Sequence, residues 1–360
     1  MRVLLTADAV GGVLTYALDL TRSLTDRGTE VHLAVLGQGL SPDQRVAVLR
    51  AGAVSVHECT GALEWMPDPW TDVDRAGEWL LALAGHLRPD VVHLNGYAHA
   101  ALPWPSPVLV AGHSCVLSWW EAVHGTAAPP DWAEYRRRVQ TGLAAADVVV
   151  APTAAMLGAL QRWYGVIGGV VVPNGRRPEP VPPLDKEPLV LGAGRVWDEA
   201  KNLHRLVAAA PRLSWPVVVA GDATAPGGDE VDLPAGARLT GRLSWAELSL
   251  LMQRAAVLAA PSSYEPFGLT PLEAAQAGCA LVLGDIASLR EVWGDAALYV
   301  DPQDEDALVA ALERLASDRS LLERFGGRSR VRAAHYSPDR MGTAYLELYD
   351  RISTREQVPA

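Results

Sequence analysis

Cysteine, lysine, long apolar runs and positive charge are all scarce in this chain, and each scarcity narrows the choice of function. The three cysteines, Cys59, Cys115 and Cys279, are scattered, with no CxxC spacing and no histidine cluster beside them. That pattern argues against a disulfide framework and against a structural zinc site. No apolar run reaches the roughly 20 residues needed to span a bilayer. The opening MRVLLTADAVGG is a short apolar stretch interrupted by Asp8, so it reads as a first strand rather than a leader peptide. The expected location is the cytoplasm. The net charge of −11 is opposite in sign to the footprint of a nucleic-acid binder, so no nucleic-acid partner is expected. One local basic cluster, Arg136-Arg137-Arg138, leaves peripheral contact with an anionic membrane surface or an acceptor phosphate open. The plainer alternative is a solvated helix face. Lysine occurs only at 186 and 201; all other Lys/Arg positions are arginine. Neither a GxGxxG fingerprint nor a GxxxxGK phosphate loop is present, and LGQGLS is a partial match in the wrong place. Dehydrogenase and NTPase readings weaken accordingly.

What is present is a regular alternation. The chain has 360 residues, 49% hydrophobic and 20% charged, a length that suggests two domains. Short β-branched runs recur: RVLLTA, EVHLAVL, AVSVHE, DVVHLNG, PVLVAGH, DVVVAPT and GVVVPNG. Segments with helical spacing, such as YALDLTRSLTDRG, lie between them. Apolar strands alternating with amphipathic helices imply a parallel sheet covered on both faces. The alternation pauses at NGRRPEPVPPLDKEP, whose five prolines do not fit a helix or a central strand. It restarts with PLVLGAGR, PVVVAGD, ARLTGR, AVLAAPS, CALVLGD and ALYVDP. The expected organisation is an α/β domain over 1–173, a linker over 174–188 and a second α/β domain over 189–336. A helix over 337–360 is expected to cross back to the first domain. Parallel sheets bind ligands beyond the carboxyl ends of their strands, so two such domains would present a cleft between those ends.

Three strand-end loops carry the chemistry. Gly11-Gly12 follows the first strand, where glycine permits close backbone approach to a ligand and helix-start amides can hold a phosphate. A plain tight turn is the alternative. GRVWDEAKN puts Arg195 and Lys201 on one loop, a pair suited to a diphosphate. Asp198 and Glu199 could instead pair with the same cations. The third is PSSYEPFGLTPLEAAQAGC. A strand ends near Pro261 and a helix is expected to begin near Thr270-Pro271, with proline as a start signal. Free amides around Phe267 to Thr270 would form an anion site. Glu265 precedes the helix and Glu273 is expected in its first turn, where dipole compensation is the plain alternative.

The block EPFGLTPLE, a Glu-x7-Glu pattern followed by AAQAGCALVLGD, resembles the retaining glycosyltransferases of family 4, whose fold is called GT-B. The Gly11-Gly12 loop, DVVHLNG, His113 in VLVAGHS, VVPNG, Arg195 with Lys201, AGD at 220–222 and LTGRLSWAEL follow in the same order. The resemblance implies a role for each. Glu265 would contact the donor sugar, and Glu273 the nucleotide ribose. Amides near Phe267, Gly268, Leu269 and Thr270 would hold sugar and phosphate. Arg195 and Lys201 would bind the diphosphate and stabilise its growing charge. Arg242 and Leu243 would border the base, His113 would lie beneath the transferred sugar, and Gly12 and Asn174 would complete the donor site. No metal and no cofactor are implied; the nucleotide sugar, UDP- or GDP-linked, is a co-substrate. Two loops depart from the pattern. IASLREV lacks the usual Gly or Pro turn before Glu291, and AGDATAPGGDE is long, which puts Asp222 in doubt.

The acceptor side is less explicit. Trp65, Trp70, Trp79, Trp104, Trp119, Trp120 and Trp132 crowd the first domain. Those in LEWMPDPW, LPWP and SCVLSWWEAVHG read as loop residues able to stack on a sugar, or as packing for long loops. His93, Asn95 and His99 could also face a hydroxyl acceptor, such as a saccharide or small molecule; structural roles are the alternative. Besides the transferase, two readings stay open: a nucleotide-sugar isomerase or epimerase of the same shape, and a non-catalytic sugar-nucleotide binder.

Overall fold

A computed structural model of the chain describes residues 1–224, 228 and 235–355. They divide into two compact units. The first comprises Met1–Glu121, Thr126–Gly175 and the described residues from Ser337 on; the second comprises Ala122–Gly125 and those of Arg176–Tyr336. The expected linker is thus shared out: Asn174 and Gly175 belong to the first unit, and the rest to the second.

The first unit holds a seven-stranded parallel sheet. Its strands are β1 (Arg2–Asp8), β2 (Glu30–Gly37), β3 (Ser55–Thr60), β4 (Val91–Leu94), β5 (Val108–Ala111), β6 (Val148–Ala151) and β7 (Val170–Val171). Every apolar run read from the sequence in this half is a strand. The reason is burial on both faces: β4 and β5 are wholly buried, so valine and leucine recur without alternation. Six helices accompany them: α1 (Gly12–Thr25), α2 (Pro42–Ala51), α3 (Trp70–Leu87), α4 (Val116–His124), α5 (Ala133–Ala145) and α6 (Ala154–Tyr164). The strand order β3-β2-β1-β4-β5-β6-β7 reverses direction between β1 and β4. That is the switch point at which ligands bind in such sheets.

The second unit repeats the plan with six parallel strands. These are β8 (Glu187–Ala193), β9 (Val217–Ala220), β10 (Arg238–Gly241), β11 (Ala255–Ala260), β12 (Ala280–Gly284) and β13 (Leu298–Val300). Its helices are α7 (Leu203–Ala209), α8 (Trp245–Arg254), α9 (Leu269–Gln276), α10 (Ala287–Trp293), α11 (Glu305–Ser317) and α12 (Arg319–Ala333). The order β10-β9-β8-β11-β12-β13 puts the switch point between β8 and β11. Two apolar clusters, one on each side of this sheet, include Leu191, Leu258, Leu281 and Trp293 in one and Val190, Val257, Val282 and Leu308 in the other.

The chain returns to the first unit as α13 (Pro338–Arg355). Tyr345, Leu348, Tyr349 and Ile352 are buried, the i, i+3, i+4, i+7 stripe of a helix with one covered face. Gly342 lies so close to α1 that a Cβ there would meet Ser23 Oγ at 2.2 Å. Residues 356–360 of the expected terminal helix fall outside the described residues, as do 225–227, 229 and 230 of AGDATAPGGDE.

Candidate active site

The switch point of the second sheet gathers the strongest sequence candidates. Arg195 and Lys201 lie on the loop after β8, and Glu265 on the loop after β11. The loops are stitched together by backbone and side-chain bonds. Ser263 N–H donates to the Ala200 carbonyl at 2.9 Å. Asn202 Nδ2 donates to the carbonyls of Pro261 (3.0 Å) and Pro302 (3.2 Å). This brings Lys201 Nζ to 2.6 Å from Glu265 Oε2, with both side chains about four-fifths covered. Ser288 Oγ anchors the Glu265 carbonyl at 2.5 Å. Arg195 donates to Asp198 Oδ2 at 2.6 Å and stacks over the Trp197 ring at 5.1 Å. Buried Asp198 also caps the short turn at Glu199–Lys201 through Ala200 N–H. Of the two acids that could claim a cation here, Asp198 pairs with Arg195.

The helix after Glu265 differs from expectation in two respects. It begins at Leu269, so Thr270 and Pro271 are its second and third residues. Proline is tolerated there because the first-turn N–H groups have no intrahelical partner. Glu273 is the fifth residue, beyond the first turn, and compensating the dipole does not account for it. Instead Glu273 Oε1 accepts from Arg176 Nε at 2.6 Å, with Arg176 buried. Gly268 precedes the helix at φ 92°, a left-handed conformation that only glycine adopts without strain. The Phe267 side chain is buried edge-to-face against Tyr336 at 5.4 Å, so only its backbone can meet a ligand. Arg242 and Leu243 follow edge strand β10. Arg242 is exposed, Leu243 packs on the core, and Ser244 with Glu247 forms the capping box that starts α8. Asp222 is exposed.

The first unit places its candidates around its own switch point. Gly12 is the first residue of α1, and Gly11 before it has φ 81°. Asn95, after β4, is buried; its Nδ2 donates to the Thr6 carbonyl at 2.5 Å, and its Oδ1 lies 2.8 Å from His113 Nε2. It therefore orients His113. His113 packs against Tyr16 at 4.3 Å, Tyr16 OH lies 3.4 Å from His93 Nε2, and His93 Nδ1 shares a 2.6 Å hydrogen bond with Tyr349 OH on α13. Burial lowers His113 to about 4 and His93 to about 3, His113 adding to the second shift. Both imidazoles are neutral at pH 7. Asn174 is buried, and its Oδ1 has no hydrogen-bond partner among the described residues.

Several acceptor candidates make structural contacts. His99 is buried and bonded to the Val73 carbonyl at 2.8 Å. Trp104 Nε1 donates to the His99 carbonyl, and Trp65 and Trp70 pack on the core. The segment read as a loop around Trp119 and Trp120 is helix α4, where the two rings meet edge-on at 6.3 Å. In the Arg136–Arg138 cluster, Arg137 pairs with Glu134, and Arg138 with Glu134 and Asp74. Lys186 is structural too. Its Nζ donates to the Met252 carbonyl at 2.8 Å, and desolvation lowers its pKa.

Sequence reading missed two features. Arg176 sat unremarked in the proline-rich segment, although NGRR next to an expected strand end could have flagged it. The other is a cavity of about 430 Å³, open to solvent, at the carboxyl ends of β1 to β4, lined by Asp8, Glu64, Asp72 and His99. Burial raises Asp8 to about 7; the Glu64 charge adds to this, and a hydrogen bond from Trp65 opposes it. Glu64 is raised by burial as well, opposed by the Ala98 and Tyr97 N–H groups. Among the described residues no helix is long and apolar enough to cross a membrane.

Comparison with known proteins is consistent with this geometry. Residues 10–179 match the family described as Glycosyltransferase Family 4, and residues 177–332 match Glycosyl transferases group 1. The glycogen synthase of Mycobacterium tuberculosis is 31% identical over 183 residues; the match takes in 47% of this chain and only 44% of that enzyme. The D-inositol 3-phosphate glycosyltransferase of Xylanimonas cellulosilytica is 29% identical over 97% of this chain and 94% of its own length. Among solved structures, Anabaena Alr3699/HepE in complex with UDP-glucose shares the fold with a TM-score of 0.75, covering 98% of this chain and 100% of that one at 15% identity. With two consecutive family matches laid over two parallel sheets of the GT-B kind, the chain belongs to the group 1, family 4 glycosyltransferases.

Proposed function

We propose that the protein is a retaining, metal-independent glycosyltransferase. It moves a sugar from a UDP- or GDP-linked donor to a hydroxyl of a saccharide or small-molecule acceptor. The observation that carries this reading is the Lys201–Glu265 pair at the switch point of the second sheet, a cation for a diphosphate beside a carboxylate for sugar hydroxyls. The Anabaena protein, of the same fold, holds UDP-glucose, which supports a nucleotide-sugar donor.

In the reaction the bond from the anomeric carbon to the diphosphate oxygen breaks, and a bond to the acceptor oxygen forms. The acceptor proton leaves on the departing diphosphate. Negative charge grows on that diphosphate as the sugar becomes oxocarbenium-like, and preorganised positive charge is the largest lever on such a step. Lys201 and Arg195 supply it. Both glutamates serve as donor ligands, so no protein nucleophile is required and the acceptor attacks from the face the diphosphate leaves. The nucleotide sugar is co-substrate and no cofactor takes part. A cytoplasmic setting accords with three cysteines present as thiols.

The test begins with thermal stability in the presence of UDP, GDP, ADP, TDP and their common sugar conjugates. Donor alone and donor with an acceptor panel then follow, with the product anomer read by NMR and EDTA as a control. A glycoside of inverted configuration refutes retention, and loss of activity in EDTA refutes metal independence. Conversion of donor without acceptor points to an isomerase.

A further inference from the structure

We infer that Arg176 is the positioning residue that sets the Glu273 carboxylate for the ribose of the donor nucleotide. The inference rests on the ribose-binding role given to Glu273 by the reading above.

Arg176 is held through both its backbone and its guanidinium. Its N–H donates to the Tyr336 carbonyl at 3.1 Å. Its own carbonyl accepts from Gln276 Nε2 at 2.7 Å, and Gln276 lies on α9 three residues beyond Glu273. Its Nε donates to Glu273 Oε1 at 2.6 Å, and Nη2 approaches Glu179 Oε1 at 3.5 Å. The residue is 7% exposed, so its backbone and guanidinium are fixed against the same helix that carries Glu273. Glu273 Oε2 has no protein partner among the described residues. The carboxylate is thus clamped by one oxygen and presents the other.

This arrangement answers a physical need. A glutamate that binds hydroxyls from a helix surface loses rotamer freedom when it does so. A planar guanidinium removes that freedom beforehand, and lysine, a point charge on a flexible stem, does so less well. Binding energy otherwise spent on ordering the side chain then appears as affinity for the ribose. A merely structural ion pair would also hold α9 to residues 176–179, but it would not distinguish a ribose from a sugar lacking its hydroxyls.

The experiment uses that distinction. Affinities of the full-length protein for UDP and 2′,3′-dideoxy-UDP, and in parallel for GDP and 2′,3′-dideoxy-GDP, are measured by calorimetry for wild type, R176Q, R176K and E273Q. Wild type is expected to prefer the ribose form, and E273Q to lose the preference. R176Q should reduce it by about tenfold, the worth of about one hydrogen bond, with binding of the dideoxy form unchanged and R176K intermediate. If R176Q retains the full preference, or loses affinity for both forms alike, Arg176 does not position Glu273. If E273Q also retains it, Glu273 does not bind ribose, and the parent reading fails first. Should R176Q not fold, R176K decides: a partial loss of the preference is expected, and an unaltered preference overturns the inference.

Discussion

Lys201 Nζ and Glu265 Oε2 sit 2.6 Å apart, joined across 64 positions of sequence by two loops that end neighbouring strands. Each neutralises the other. A diphosphate arriving at Lys201 and sugar hydroxyls arriving at Glu265 would find both charges already in place, with no reorganisation required when the glycosidic bond breaks.

Replacing Lys201 by alanine removes the cation and leaves Glu265 without its partner. Affinity for the preferred nucleoside diphosphate should fall by about 1.5–3 kcal/mol, the worth of a charged hydrogen bond. Calorimetry checks this. Unaltered affinity removes Lys201 from the diphosphate site.

Glu265→Ala has the opposite signature. It frees Lys201, so binding of the nucleoside diphosphate should be equal or tighter. Turnover should drop by about 100- to 1,000-fold, the usual loss for one transition-state contact. A normal rate with the full donor refutes a sugar contact.

Asp8 makes stability depend on pH. Its folded-state value, about 7, lies above its ordinary 3.8, so between these limits the native chain binds more protons than the unfolded one. Stability from this group therefore falls as pH rises from about 4 to 7. Asp8→Asn should flatten that part of the profile and raise Tm at pH 8, while keeping an acceptor for Trp65. Identical pH–Tm curves for variant and wild type would contradict the burial of an ionisable acid at Asp8.

His93 and His113 act in the other direction. Their folded values, about 3 and about 4, lie below the ordinary 6.5. Between roughly 4 and 6.5 the unfolded chain binds the additional protons, so their contribution is complete above 6.5 and is lost as pH falls. Ring ¹⁵N shifts should report two neutral imidazoles at pH 5. An imidazolium signal from either at pH 6 would show that the Tyr16–His93–Tyr349 cluster is open to water.

The strands, the two-unit plan and the charged strand-end loops with Arg195, Lys201 and Glu265 were legible in the residues alone. Apolar runs of four to eight residues bounded by Gly, Pro or Asp report burial on both faces wherever they fall, and the Glu265–Glu273 block is a local pattern. Helix α4 was not legible: VLSWWEAVH sits between a strand end and a Gly-Thr-Ala stretch, and its adjacent tryptophans mask a helical period that packing then imposes. Nor was the partnership of Arg176 with Glu273, which are 97 residues apart, or the choice of Asp198 over Glu199 as the Arg195 partner. Periodicity is a property of neighbours in the chain, so the sequence by itself determined which segments are strands and which loops carry charge. Ion pairing and the titration of Asp8, His93 and His113 depend on which groups lose their water together, and only the tertiary structure decides that.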